Sequence, residues 1–340
     1  MNIKNNFPTI TFAFLAGFLL SFGQIHLESK PQKWSSKLSQ AELKSKLTIL
    51  AADDMEGRDT GSSGQKKAGQ FIVSYYEDLK IPHPATMDSY FQVVPAAFLN
   101  AKKNQNLSDS ANILAFIEGT DLKEEIVVLS AHYDHIGIKN GQIHNGADDD
   151  GSGTVALMEI AKVLQMAKND GKGPRRSVLI FHATGEEHGL LGSQYYSEHP
   201  VFAWDKTIVD INIDMIGRRD EKHNDNNGYV YLIGSSFLSS ELHQICEQVN
   251  ETSTKLDLDF TYNNKKDPNR FYYRSDHYNF AKNGVPSVFV FSGVHADYHQ
   301  PTDDVEKIEF DAMLKRTQLS FGILWEVANR DKRLVVDGSN

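Results

Sequence analysis

Apolar residues along this chain keep two rhythms. Short, nearly continuous runs at Ile126 to Leu129, Ser177 to His182, Thr207 to Ile213, Tyr229 to Ile233 and Pro286 to Phe291 predict buried strands. Ser89 to Ala97, Ala111 to Glu118 and Glu125 to Ala131 are read as strands as well. Apolar spacings of three and four predict helices over Ser39 to Leu50, Gln65 to Leu79, from the Asp148-Asp149-Asp150 cluster to about Lys168, Ser236 to Asn250 and Glu309 to Arg330. The first of these opens with Ser39-Gln-Ala-Glu42, a capping-box pattern. Strands alternating with helices argue for an α/β protein, here a single α/β/α sandwich around a mixed, mostly parallel sheet.

In such folds ligands sit beyond the carboxyl ends of strands, so the polar residues found there carry the functional argument. Four strand ends qualify: His132 and Asp134, Glu186 and Glu187, Asp214, and His299. His132 and Asp134, two apart on extended backbone, point to one side. Asp148-Asp149-Asp150 then stands at the start of a helix, where three crowded carboxylates repel and lose hydration unless cations compensate them. An Asp-rich surface turn with Asp150 or Ser152 as helix cap is the competing reading of that cluster alone.

Imidazole and carboxylate are usual zinc ligands. With Asp149 as a bridge, His132 and Asp214 complete one ion while Glu187 and His299 complete a second, and Glu186 is left over as a general base. Paired ions of this kind activate water and hold a developing oxyanion.

The motifs His132-Tyr-Asp134, Gly146-Ala-Asp-Asp149-Asp-Gly-Ser-Gly, Gly185-Glu186-Glu187, Asn212-Ile-Asp214-Met and Tyr298-His299-Gln-Pro-Thr-Asp303 resemble, in order, those of the family-28 zinc metallopeptidases. The resemblance runs from about Leu43 to the last helix and includes Met55-Glu-Gly-Arg58 and Arg274-Ser-Asp-His277. It implies the zinc-exopeptidase fold and two zinc ions on His132, Asp149, Glu187, Asp214 and His299. Catalytic roles are implied for Glu186 as base and for Asp134 as the group orienting His132. It also implies a cis peptide bond between Asp149 and Asp150, and places Ser275 and Asp276 on the substrate side. The activity implied is removal of N-terminal residues from peptides by metal-activated water. A carboxypeptidase or dipeptidase on the same site is the alternative, needing an arginine such as Arg218, Arg219 or Arg274 for the substrate carboxylate. A non-catalytic interaction protein with the same fold is the other. His135, His144, His182, His188 and His295, which lie near motifs, are read as packing or hydrogen-bonding residues.

Composition narrows the setting. Formal net charge is −10, a poor match for nucleic acid or an anionic membrane. The only cysteine, Cys246, excludes an internal disulfide. Residues 1–23, with Lys4, the apolar run Ile10 to Phe22 and Ser21-Phe22-Gly23, read as a signal peptide, so export to the periplasm or medium is expected. Residues 24–38 are expected to be a mobile lead-in, 39–330 the peptidase domain and 331–340 a frayed tail. Peptides are the expected partners, with no membrane contact beyond the leader, and the oligomeric state is left open.

Overall fold

The structure is a computed structural model that describes Leu27 and residues 31–101 and 105–338; the expected signal peptide lies outside the described residues. The chain begins with α1 (Gln32–Ser35), α2 (Gln40–Leu50) and α3 (Ser63–Asp78), then β1 (Phe91–Val94), α4 (Ala96–Leu99), β2 (Ser110–Ile117) and β3 (Leu122–His132). A hairpin of β4 (Gly137–Lys139) and β5 (Gln142–His144) precedes α5 (Gly153–Asn169), β6 (Arg176–Ala183), α6 (Leu191–Glu198), β7 (Thr207–Ile213) and β8 (Tyr229–Ile233). The remainder is α7 (Ser240–Thr252), β9 (Asp257–Asp259), α8 (His277–Ala281), β10 (Ser287–Phe291) and α9 (Phe310–Asn329).

Eight strands form one mixed sheet in the order β1-β2-β6-β3-β7-β10-β8-β9. Its centre, β6, β3, β7 and β10, is parallel, while β1, β2 and the β10–β8 pair run antiparallel. All four strands expected to end in site residues are those central parallel ones, so their carboxyl ends open on the same edge.

Alternation along β3 builds two cores. Val127, Leu129 and Ala131 join the side covered by α2, α3, α5, α7 and α9, whereas Ile126 and Val128 pack with Phe181, Tyr196 and Phe280 under α6 and α8. Both faces are thus covered, which is why these strands read as continuous apolar runs rather than alternating ones.

Most boundaries fall within a few residues of expectation, and the differences have local causes. The expected Ser89 to Ala97 strand stops at Val94 because Pro95 has no N–H for the ladder and opens α4 instead. The helix expected from Ser236 starts at Ser240, where Ser239 accepts the Leu242 N–H as its cap. The lead-in is not mobile throughout: from Pro31 it is docked, with Trp34 buried and its ring 6.3 Å from that of Trp325. Nor is the tail frayed over 331–338. Leu334 is buried, the Val335 N–H donates to Glu241, and the Ser240 N–H donates to Asp337.

Candidate active site

The donor atoms of the five expected ligands converge beyond β3, β6, β7 and β10. His132 Nε2 lies 3.3 Å from Asp149 Oδ1 and 3.6 Å from Asp214 Oδ1. His299 Nε2 lies 3.1 Å from both Asp149 Oδ2 and Glu187 Oε2. Asp149 therefore stands between two groups with one oxygen toward each. Two donors each about 2 Å from a shared tetrahedral ion are about 3.3 Å apart, so these spacings fit zinc. Asp149 Oδ2, Glu187 Oε1 and His299 Nε2 are buried atoms with no hydrogen-bond partner among the described residues, a state that costs free energy unless a cation completes them.

Three of the candidate ligands, His132, Asp149 and Asp214, are held from behind. His132 Nδ1 is 3.1 Å from the Asp134 carbonyl oxygen, which fixes the proton on Nδ1 and leaves the Nε2 lone pair for the site. The expectation for Asp134 needs correcting in detail: its backbone carbonyl, not its carboxylate, makes that contact. The carboxylate is 3.8 Å from Nδ1 and instead accepts from Thr60 Oγ1 at 2.8 Å and from the Glu186 N–H at 3.2 Å. Asp134 thus connects a zinc-candidate histidine to the candidate base. The turn Ala147–Ser152 that carries Asp149 contains a cis Asp149–Asp150 bond. Asp303 Oδ2 accepts the N–H groups of Asp148 and Asp149, at 3.0 and 3.1 Å. Asp150 accepts the N–H groups of His132, Gly153 and Met215, joining that turn to the ends of β3 and β7.

Ser275 and Asp276 are not in the cleft. Ser275 Oγ donates to Asp214 Oδ2 at 2.7 Å and accepts from Asn212 Nδ2 at 2.8 Å, so it supports a ligand from the buried side. Asp276 is fully buried, with Ser193 Oγ donating to it, and burial pushes its carboxyl up to about 7. Both are polar because they face the back of the site rather than solvent.

Arg58, in the Met55-Glu-Gly-Arg58 segment, is entirely buried. Its Nε donates to the Tyr133 carbonyl at 2.9 Å, Nη1 to those of Leu50 and Asn145, and Nη2 to that of Gly146 at 2.9 Å. One guanidinium thereby ties the end of α2 to the two loops that carry His132 and Asp149. Burial pulls it down to about 10, opposed by Asp134 and Asp303, so it stays charged at neutral pH.

Glu186 Oε2 sits 3.9 Å from His132 Nε2, on the side of the site that opens into a pocket. Met215, Phe271, Phe289, Phe291 and Tyr298 form apolar walls, and Arg274 stands at the edge over the Phe271 ring. Burial pushes the Glu186 carboxyl well up, and Glu187 and Asp214 add to it while His132 opposes. Asp149 goes the other way: burial would raise it, but His132 and His299 hold it well below the usual carboxylate range.

Two neighbours had no site role from the sequence: His135 was read as a packing or hydrogen-bonding residue, and Asp303 was given none. His135, fully buried, brings Nδ1 to 2.8 Å from Glu187 Oε1. Asp303 holds the bridging turn as described; it lay inside a quoted motif, but nothing in its spacing showed what it touches.

Known proteins resemble this chain in sequence and in fold. A family model described as peptidase family M28 matches residues 112–323. A probable leucine aminopeptidase of Arthroderma otae is 30% identical over 300 residues, which is 85% of this chain and 77% of that protein. Among solved structures, a zinc aminopeptidase from Bacillus subtilis superposes with a TM-score of 0.67 at 17% identity, covering 86% of this chain and 96% of that one. A glutaminyl cyclase from Porphyromonas gingivalis superposes at 0.64 with 19% identity, over 84% and 98%. At such identities the structural likeness speaks for the fold.

Proposed function

The chain belongs to peptidase family M28 and is a metallo-aminopeptidase, and from that premise we propose that it is an exported enzyme working with two zinc ions. In this reading His132, Asp149 and Asp214 hold one ion, Asp149, Glu187 and His299 hold the other, and Glu186 is the general base. The observation that carries it is the pair of donor groups sharing Asp149, with spacings of 3.1 to 3.6 Å and buried atoms that nothing else satisfies. Zinc bound there supplies Lewis acidity toward water and toward the oxygen of the scissile carbonyl.

The chain's own groups do the rest. Glu186, fixed by its N–H on Asp134, takes the proton from the attacking water and returns it to the leaving amine. The walls formed by Met215, Phe271, Phe289, Phe291 and Tyr298 receive an apolar first side chain and exclude bulk water. Depth is limited behind Asp214, where Ser275 and Asn212 fill the space, which suits a substrate that ends at the site rather than one that passes through.

The carboxypeptidase alternative loses two of its three arginines to existing pairs. Arg218 contacts Asp297 at 2.9 Å and Arg219 contacts Glu309 at 2.7 Å. Arg274 alone lines the pocket. Aminoacyl substrates and end-blocked peptides, assayed with metal stripped and restored, separate the readings. Hydrolysis confined to free amino ends and dependent on zinc is expected. Release of C-terminal residues from N-blocked peptides would install the alternative, and inertness of the fully loaded protein toward every substrate would leave a binding role.

A further inference from the structure

The paired donor groups lie between two cavities that share no lining residue. One is the apolar pocket, lined in part by His132, Glu186 and Asp214. The other, of about 250 Å³, is bounded by Asp59, Ile136, Lys139, Glu187, His188 and His299. A peptide whose first side chain fills the apolar pocket has its scissile bond beside Glu186. It then continues past Asp149 toward Glu187 and His299, so the second cavity lies where the leaving part goes.

Lys139 is carried there by the β4–β5 hairpin. Asn140 and Gly141, at φ of 53° and 77°, make the two-residue turn between the strands. A Cβ on Gly137 would lie 2.5 Å from Asp59 Cβ, and one on Gly57 would lie 2.5 Å from the His144 carbonyl oxygen. Both ends of the hairpin are thus pressed against the segment that runs from Gly57 to Asp59. Side chains alternate along a strand, and Gly137 faces Asp59, so Lys139, two residues on, turns the same way while Ile138 is exposed to solvent. Around the cavity, Asp59 Oδ1 is 3.0 Å from His188 Nε2, and Glu187 and His299 face each other at 3.1 Å. The Lys139 ammonium, by contrast, makes no ion pair or hydrogen bond among the described residues.

Resting on the reading that the peptide's first residue enters the apolar pocket, we infer that the second cavity binds the residue after the cleaved bond and that Lys139 selects a carboxylate there. That carboxylate is the free α-carboxylate of a dipeptide or the side chain of an acidic second residue. A chain of net charge −10 repels such substrates as a whole, and one cation fixed beside their path offsets that locally. Lys139 decides which peptide is cut, and takes no part in the cutting.

The test assays zinc-loaded enzyme on two matched pairs, Leu-Gly against Leu-Gly-amide for the α-carboxylate and Leu-Glu-amide against Leu-Gln-amide for the side chain. The readout is the ratio of kcat/KM, carboxylate over amide, within each protein, so a general change in activity cancels. In at least one pair the native ratio should exceed that of Lys139→Met by about two- to fivefold, the range of an exposed ion pair. Lys139→Glu should fall lower still, and added salt should draw the native ratio toward that of Lys139→Met. The pair that responds identifies the source of the carboxylate. Equal ratios in all three proteins for both pairs would overturn the inference, as would a Lys139→Glu ratio no lower than that of Lys139→Met. Inertness of the loaded protein toward all four peptides would refute the peptidase reading instead. Calorimetric binding of the same four peptides then gives the ratio as Kd and still decides for or against Lys139.

Discussion

Glu186 and Glu187 are adjacent in the chain, yet one faces the pocket with its carboxylate and the other faces His299 and His135. Replacement should separate them. Glu186→Gln keeps shape and one acceptor but cannot take a proton, so turnover should fall by roughly 10²- to 10⁴-fold with zinc content unchanged. Glu187→Gln should lose zinc together with activity; metal analysis beside steady-state kinetics checks both, and full turnover in Glu186→Gln would sink the mechanism. At this scale the residues tied to strand ends were legible, because a polar residue just past a buried apolar run has few structural excuses. Ser275, Asp276 and His135 were not. Their polarity was visible, but whether a polar group looks into a cleft or stands behind a site residue depends on neighbours such as Asp214 and Glu187 that only the folded chain brings near.

Among elements, the segment from Asp53 to Arg58 departs furthest from its sequence reading. Rich in acids, it nonetheless delivers a fully buried guanidinium to four carbonyl oxygens on three segments. Arg58→Lys offers one compact ammonium in place of a planar fork and leaves some of those oxygens bare. Each uncovered buried acceptor costs about 1–3 kcal/mol, so denaturant unfolding of the metal-free variant should show a loss of several kcal/mol, about 3 or more. A change under about 0.5 kcal/mol, typical of surface sites, would show the latch to be idle. Long periodic elements such as α9 and the central strands were readable because burial on one stripe or on both faces leaves a pattern. The hairpin of β4 and β5 and the three-residue β9 were not, since so few residues carry no period. Trp34 was hidden similarly, one aromatic in a polar lead-in whose partner Trp325 stands near the other end of the chain.

For the whole molecule, two interior histidines set an acid limit. Burial pushes both His182 and His277 down to about 3 from an ordinary 6.5; His182 Nε2 shares a hydrogen bond of 2.6 Å with the Tyr76 hydroxyl, which a neutral ring can make. With the folded value below the unfolded one, stability is intact above about 6.5. It is lost as pH falls toward 3, because the unfolded chain binds protons the interior refuses. The slope is up to about 1.4 kcal/mol per pH unit for each histidine. Thermal melts of metal-free native protein and of His182→Asn between pH 7 and 4 should show the native protein losing stability relative to the variant as pH falls; a difference that stays constant with pH would refute the assignment. The placement of the proposed ligands beyond four adjacent strands has a consequence in time rather than in space. Pieces running from His132 to His299 must all be in register before any ion finds its full set, and contacts that distant in sequence form late. Refolding should therefore recover secondary structure well before activity, at any zinc concentration that saturates the native enzyme; simultaneous recovery would contradict this. On the two-zinc reading, a chain still lacking His299 should be unable to cut, which keeps such a peptidase harmless while it is being made.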